Sequence, residues 1–411
     1  MFAVRAVHAF DGERFLPGGA TVLVEAGRIV AVEPFDYVVP TGVGVEEHWG
    51  TLLPGLIDCH THLVADCTMG GLERAGVMTG EEVDAVVLAS LRAHLASGVT
   101  TVRDLGDVGY RTLAFREVPG LPRVVVAGPP ITIPAGHCHF LGGAVRGTTE
   151  SDLRAAVVER AERGVDVVKV MASGGFATPD SDQLGAQFTA DQLSALTDEA
   201  HRAGLPLVAH AHSLLAMEYA LSAGVDGIEH FTGLAVGMDA HLDDQVLADA
   251  ARRGTFVDLT MGNDRSLHAL MPAPPPHLAA LMAGFGVSTF DELYARRITQ
   301  LGQLREHGVR IVSGVDSGMA PAKKHGNVWR TVGEMVEAGY DTAAALAAAT
   351  SVAAEACSLG GVTGRLATDH VADLLLVDGD VSTEPAALSQ PREVVVRGQR
   401  ADLARALEVL R

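Results

Sequence analysis

Six times along the middle of the chain a helix-like segment ends in a glycine and an apolar stretch begins at once. The junctions are Ser97-Gly98-Val99, Arg163-Gly164-Val165, Ala203-Gly204-Leu205, Ala223-Gly224-Val225, Arg253-Gly254-Thr255 and His307-Gly308-Val309. Glycine suits the left-handed residue just past a helix C-terminus. Short apolar runs alternating with helices indicate a parallel sheet with crossover helices. Segments 151–163 and 189–203 carry helical periodicity, and Thr189 with Gln192 makes a capping box. Strands ending near residues 58, 104, 127, 168, 209, 229, 258 and 315 number eight. Eight βα units over roughly 300 residues predict an α/β fold of the (β/α)8 TIM-barrel type. A doubly wound open sheet is the structural alternative, but no Gly-x-Gly-x-x-Gly follows the first strand.

The two ends of the chain follow another pattern. Thr21-Val-Leu-Val-Glu and Arg28-Ile-Val-Ala-Val are short strands with glycine turns between them, and Ala372 to Gly379 and Glu393 to Gly398 resemble them. With 411 residues the chain is too long for one compact core. A small β-sandwich domain built from both termini is expected, from residues 1–52 and 356–411, closed by a short helix over Leu403 to Leu410. Residues 53–355 then form the barrel.

A net charge of −20 argues against nucleic acid or an anionic membrane as partner. No apolar run of about 18 residues suggests a membrane span. The start lacks the apolar core of a signal peptide. The four cysteines, Cys59, Cys67, Cys138 and Cys357, show no paired spacing, so a reducing, cytoplasmic setting is expected. The expected partner is a small-molecule substrate, and self-association into a homo-oligomer stays open.

Chemistry gathers at the strand ends. His60 and His62 close an apolar segment that starts at Thr51, and on a strand residues two apart point the same way. Lys169, His210, His230 and Asp316 each close a later strand. Each has an innocent reading alone, as a satisfied polar residue or a cap. Six ligand-type residues at five strand ends of one barrel face point together to a metal centre. Lys169 is the odd member, since a buried ammonium beside divalent cations is repelled. It could form a Schiff base, bind a substrate carboxylate, or carry carbon dioxide as a carbamate that bridges two metals. The carbamate is preferred, because it removes the repulsion and supplies an anionic oxygen ligand.

The segments Leu53 to His62, Lys169-Val-Met-Ala-Ser-Gly-Gly, Ala209-His-Ala-His, Ile228-Glu-His and the strand of Asp316 resemble the metal-dependent amidohydrolase superfamily. The likeness is to its imidazolonepropionase-related branch, which includes Xaa-Pro dipeptidases and lysine/arginine carboxypeptidases. It covers nearly the whole chain. It implies that His60, His62 and Asp316 hold one divalent metal, that His210 and His230 hold a second, and that carboxylated Lys169 bridges them. It also implies zinc as the metal, with His212 as a substrate or supporting contact. A water bridging the two ions would ionise near neutral pH and act as the hydroxide nucleophile. Asp316 is then both ligand and proton shuttle. His137, in a Gly-His after the third strand, is assigned to the substrate carbonyl, against the alternative of a solvent-exposed loop histidine.

These readings make the chain a binuclear metal-dependent hydrolase of an amide bond in a dipeptide or N-acyl amino acid. A mononuclear deaminase or cyclic-amide hydrolase is the nearest rival, and such enzymes need no bridging carbamate at Lys169. A lactonase would share the same metals. A Schiff-base lyase using Lys169 and a non-catalytic scaffold are the readings from outside the class. Lys323 and Lys324, after Asp316, are the candidates for binding a substrate carboxylate, while Arg103 sits beside Asp104 and is expected to form a structural pair. The long, proline-rich segment Thr260 to Phe290 has the length of a lid.

Overall fold

The computed structural model describes the chain except residues 236–241, 271–272, 275, 285 and 408–411. The six junction glycines all adopt positive φ, from 66° at Gly308 to 82° at Gly98. Helices Gly80–Ala96, Glu150–Arg163, Ala190–Arg202, Leu214–Ser222, Asp244–Arg253 and Phe290–Glu306 run into them. Thr189 and Gln192 form the expected capping box, and Thr79, Thr149 and Thr289 start three other helices in the same way.

Eight parallel strands follow these helices or precede them, arranged in two sheets. Leu56–Thr61, Val99–Asp104 and Arg123–Val126 make one. Val168–Met171, Leu207–Ser213, Gly227–Leu234, Phe256–Asp258 and Arg310–Ile311 make the other. The sheets meet at both edges through parallel bridges, Thr61 with Ser317 and Ile131 with Val170. Backbone bonds from Cys59 N to Ser313 O and from Met171 N to Ile131 O, both 2.8 Å, reinforce these edges.

The chain ends differ from expectation in one respect. Their strands form a single hydrogen-bonded sheet of eight rather than two facing sheets. The reason is the long strand Gly44–Pro54, which pairs in parallel with Phe2–Phe10 and, by its last four residues, antiparallel with Leu374–Val377. It carries the ladder from the N-terminal strands to the C-terminal ones. Alternation then divides this sheet's apolar residues. Leu374 and Leu376 pack with Val4, Val22 and Leu52 in a core of their own, while Leu375 and Val377 join the main core. The terminal helix is seen over Leu403–Leu407, and the rest of its expected span lies outside the described residues. Among the described residues no helix is long and apolar enough to cross a membrane.

Candidate metal centre and active site

The predicted strand-end residues come together. His60 lies 5.1 Å from His230 and 5.4 Å from His62 between ring centroids, and His210 lies 4.5 Å from His230. Two groups of donors have ligand atoms within 4.8 Å of one another: His60 with His62 and Asp316, and His210 with His212 and His230. His212, 4.6 Å from His210 and 4.5 Å from His230, thus stands among the ligand-type residues rather than behind them. Lys169 and His137 line the same cavity.

Backbone conformation aims two of these side chains. His230 and Asp316 adopt φ of 68° and 60°, a region that costs a non-glycine residue roughly 1–3 kcal/mol. The surroundings hold them there. Arg297 donates to His230 O and, at 3.0 Å, to Leu259 O, while Asp316 N bonds to His60 O at 2.8 Å. Two glycines leave the needed room. A Cβ at Gly314 would stand 1.7 Å from Asp258 Oδ2, and one at Gly175 would stand 2.4 Å from His137 Nε2.

Each of the four predicted histidine ligands keeps one ring nitrogen on an oxygen. His60 Nδ1 meets Glu229 Oε2 at 2.7 Å, His62 Nδ1 meets Gly106 O at 3.0 Å, His210 Nε2 meets Gly174 O at 3.1 Å, and His230 Nδ1 meets Thr260 Oγ1 at 3.0 Å. At His60, His62 and His210 that oxygen can only accept, so the nitrogen facing it donates and the other keeps its lone pair, the usual support of a metal-bound imidazole. The free Nε2 atoms of His60 and His62 then lie 3.6 and 3.3 Å from Asp316 Oδ1, three lone-pair donors facing one point. Such a set attracts a cation.

The electrostatics agree at every histidine of the two groups but His62, where burial alone would lower the ring and Asp316 raises it. Burial, reinforced by the other imidazoles, holds His210, His212 and His230 well below the ordinary histidine range, so all three are neutral donors. Burial and Lys169 take His60 down to about 4. Asp316 goes the other way: burial alone would raise it, but the charge of Lys323 keeps it an anion. Beneath His60, Glu229 joins Arg103 through a 3.0 Å bond. Burial lowers Lys169 to about 8, and its Nζ is buried with no hydrogen-bond partner among the described residues.

Other expectations change in detail. Arg103 does not pair with Asp104; it holds Glu229 and the carbonyls of Cys59 and Ala356. Asp104 instead accepts from the amides of Leu63 and Gly106. Lys323 reaches the cavity, but its Nζ donates to Thr260 O and Val315 O, both at 2.8 Å, and lies 3.7 Å from Asp316 Oδ2. Lys324 is exposed and outside the described lining, because its neighbour's inward course turns it to solvent. His137 is buried rather than solvent-exposed, with Nδ1 3.2 Å from Thr178 Oγ1. The segment expected as a lid carries the helical turns Arg265–Leu270 and Pro276–Gly284; Met282 and Phe290 line the cavity, and Pro272 and Pro275 lie outside the described residues.

Two acids escaped the sequence reading as site residues. Glu229 supports His60, and Asp258, on the neighbouring strand, forms a third donor group with His60 and Glu229. Burial and the charge of Glu229 hold Asp258 well above the carboxylate range. Asp258 ends its strand, Phe256–Asp258, whereas Lys169, His210 and His230, expected at strand ends, lie within their strands, and Asp316 lies beyond its own. The donors surround a cavity of about 440 Å³.

A centre of this kind at the ends of parallel strands defines a class, and the comparisons supply it. Residues 51–401 match the amidohydrolase family, and the chain belongs to that family, as a hydrolase acting on C–N bonds. An uncharacterized protein of Mycobacterium tuberculosis (strain ATCC 25618 / H37Rv) is 30% identical over 352 residues, covering 85% of each chain. Ochratoxinase from Aspergillus niger is 29% identical over 206 residues, 44% of this chain and 43% of that one. The crystal structure of a prolidase complexed with N-methylphosphonate-L-proline superposes with a TM-score of 0.81 at 25% identity, covering 97% of this chain and 99% of that one.

Proposed function

We propose that the chain is a binuclear metal-dependent hydrolase of an amide bond in a small substrate, a dipeptide or N-acyl amino acid. The observation that carries this reading is the tautomer pattern. Four buried histidines each commit one nitrogen to an oxygen, leaving the other for a metal, around a Lys169 Nζ that has no partner among the described residues. His60, His62 and Asp316 would hold one ion, and His210 and His230 the other, with His212 close enough to join them. The unpartnered amine of Lys169 fits a carbamate, which would change a buried cation into an anionic bridge. Two zinc ions bound there would supply Lewis acidity and a nucleophilic water near neutral pH.

The chain's own groups do the rest. Asp316, held as an anion beside Lys323, is placed to take a proton and return it to the leaving nitrogen. His137, steadied by Thr178 and by Gln187 on its backbone amide, and His212, steadied by Thr232, flank the space for a substrate carbonyl. Lys323 keeps one N–H beyond its two carbonyl bonds and is the cation offered to a substrate carboxylate. In this reading the eight parallel strands are those of the expected barrel, residues 53–355, and the cytoplasm is the setting. The prolidase and ochratoxinase likenesses support amide cleavage rather than deamination.

Elemental analysis combined with a hydrolysis screen tests the proposal. About two divalent ions per chain and metal-dependent cleavage of dipeptides or N-acyl amino acids are expected. One ion in a fully active enzyme favours the mononuclear rival. Activity that survives chelators and is trapped by borohydride favours the lyase.

A further inference from the structure

We infer that the site takes amides carrying a bulky apolar acyl group, and that it selects them by the size of that group. The inference rests on the amide-hydrolase reading above. The apolar wall begins at the donor cluster itself: the Phe176 ring stands edge-on to His212, 4.7 Å between centroids. Phe176 and Leu293 pack onto a buried cluster of Leu234, Met282 and Val287. These residues come from three separate segments: the stretch after the strand of Lys169, the end of the strand of His230, and the connection after the strand of Asp258. Four of them, Phe176, Leu234, Met282 and Leu293, face the cavity.

Charge offers little competition to this surface. The chain has three lysines. Lys169 lies in the donor cluster, Lys324 is exposed, and Lys323 has two of its protons on carbonyls. Arg297, the one arginine of the described lining, is spent on backbone carbonyls and Gln300. Of the residues whose placement is not described, 236–241, 271–272, 275, 285 and 408–411, one, Arg411, is a lysine or arginine. Among the described lining residues at most one lysine or arginine proton is therefore left to anchor a substrate, and the rest of that wall offers apolar contact. Apolar walls around an unfilled space forgo both hydrophobic and dispersion energy, which a bulky acyl group restores. Met69, Met171, Met261, Met282 and Met319 all line the cavity. Their unbranched, adaptable side chains follow different shapes, so alkyl and aryl groups of similar size should be accepted alike.

The test is kcat/KM for the N-acetyl, N-butyryl, N-hexanoyl and N-(2-naphthoyl) derivatives of one amino acid, with the zinc-loaded protein. At about 0.8 kcal/mol per buried CH2, each methylene is worth up to roughly fourfold, so hexanoyl should exceed acetyl by at least about tenfold, with naphthoyl close to hexanoyl. In Phe176→Ala the hexanoyl-to-acetyl ratio should fall severalfold, and Phe176→Leu should restore most of it. Equal rates across the series overturn the inference and leave the amide-hydrolase reading intact. Absence of turnover with every member strikes that reading instead. Calorimetric binding then decides the inference: hexanamide bound at least about tenfold tighter than acetamide sustains it, and equal binding overturns it.

Discussion

The two donor groups of the centre are built on opposite principles. His60, His62 and Asp316 include a carboxylate held as an anion, and their support is charged, through Glu229 and Arg103. His210, His212 and His230 are three neutral imidazoles, held by a carbonyl and two threonine hydroxyls. A dication at the first group meets a negative charge already in place. At the second it meets none, and Lys169 is the nearest residue that a carbamate would turn into one. On the proposed reading the first group would be self-sufficient and the second would depend on Lys169.

That asymmetry is broken most severely at Lys169. Lys169→Ala should abolish turnover and empty the second group first, with partial rescue by bicarbonate or small carboxylic acids. Lys169→Arg should not rescue, since guanidinium stays positive. Metal content and turnover with and without added acid check both. Asp316→Asn should lower kcat by roughly 10²–10⁴-fold, with much less change in KM, if the carboxylate moves the proton. Steady-state kinetics separate the two constants. Glu229→Gln removes the charged support of His60 and should weaken metal binding roughly 10–100-fold, at the first group only. Competition with a chelator reads this directly.

The smallest effect lies away from both groups. Burial raises Glu334 to about 7, although the Tyr294 hydroxyl bonds to it. A carboxyl group raised in the folded state stabilises the fold fully below its ordinary pKa of about 4.3. That contribution fades as pH rises toward 7. Glu334→Gln should therefore flatten the loss of stability between those values by at most a few kcal/mol, seen in denaturant titrations at several pH values. The two donor groups should be unaffected.

What was legible in the sequence follows from which signals are local. Strand alternation and the glycine junctions mark each short apolar run and the polar residues set in or just after it, which is how His60, His62, Lys169, His210, His230 and Asp316 stand out. The support beneath them is not local. Arg103 finds Glu229 across 126 positions, and its neighbour Asp104 points the other way because adjacent strand residues do. Lys323 and Lys324 show the same limit, one turned in and the other out. The single sheet of the chain ends depends on one long strand pairing on both sides, which composition does not reveal. The apolar wall gathers Phe176 from a loop and Met282 and Leu293 from two successive helices, with no common period.

Anomalous diffraction from crystals of the zinc-loaded protein tests the central claim most directly. The account predicts two peaks, one beside His60, His62 and Asp316 and one beside His210 and His230, with density extending past Lys169 Nζ between them. A single peak, or density ending at a free amine on Lys169, would contradict it.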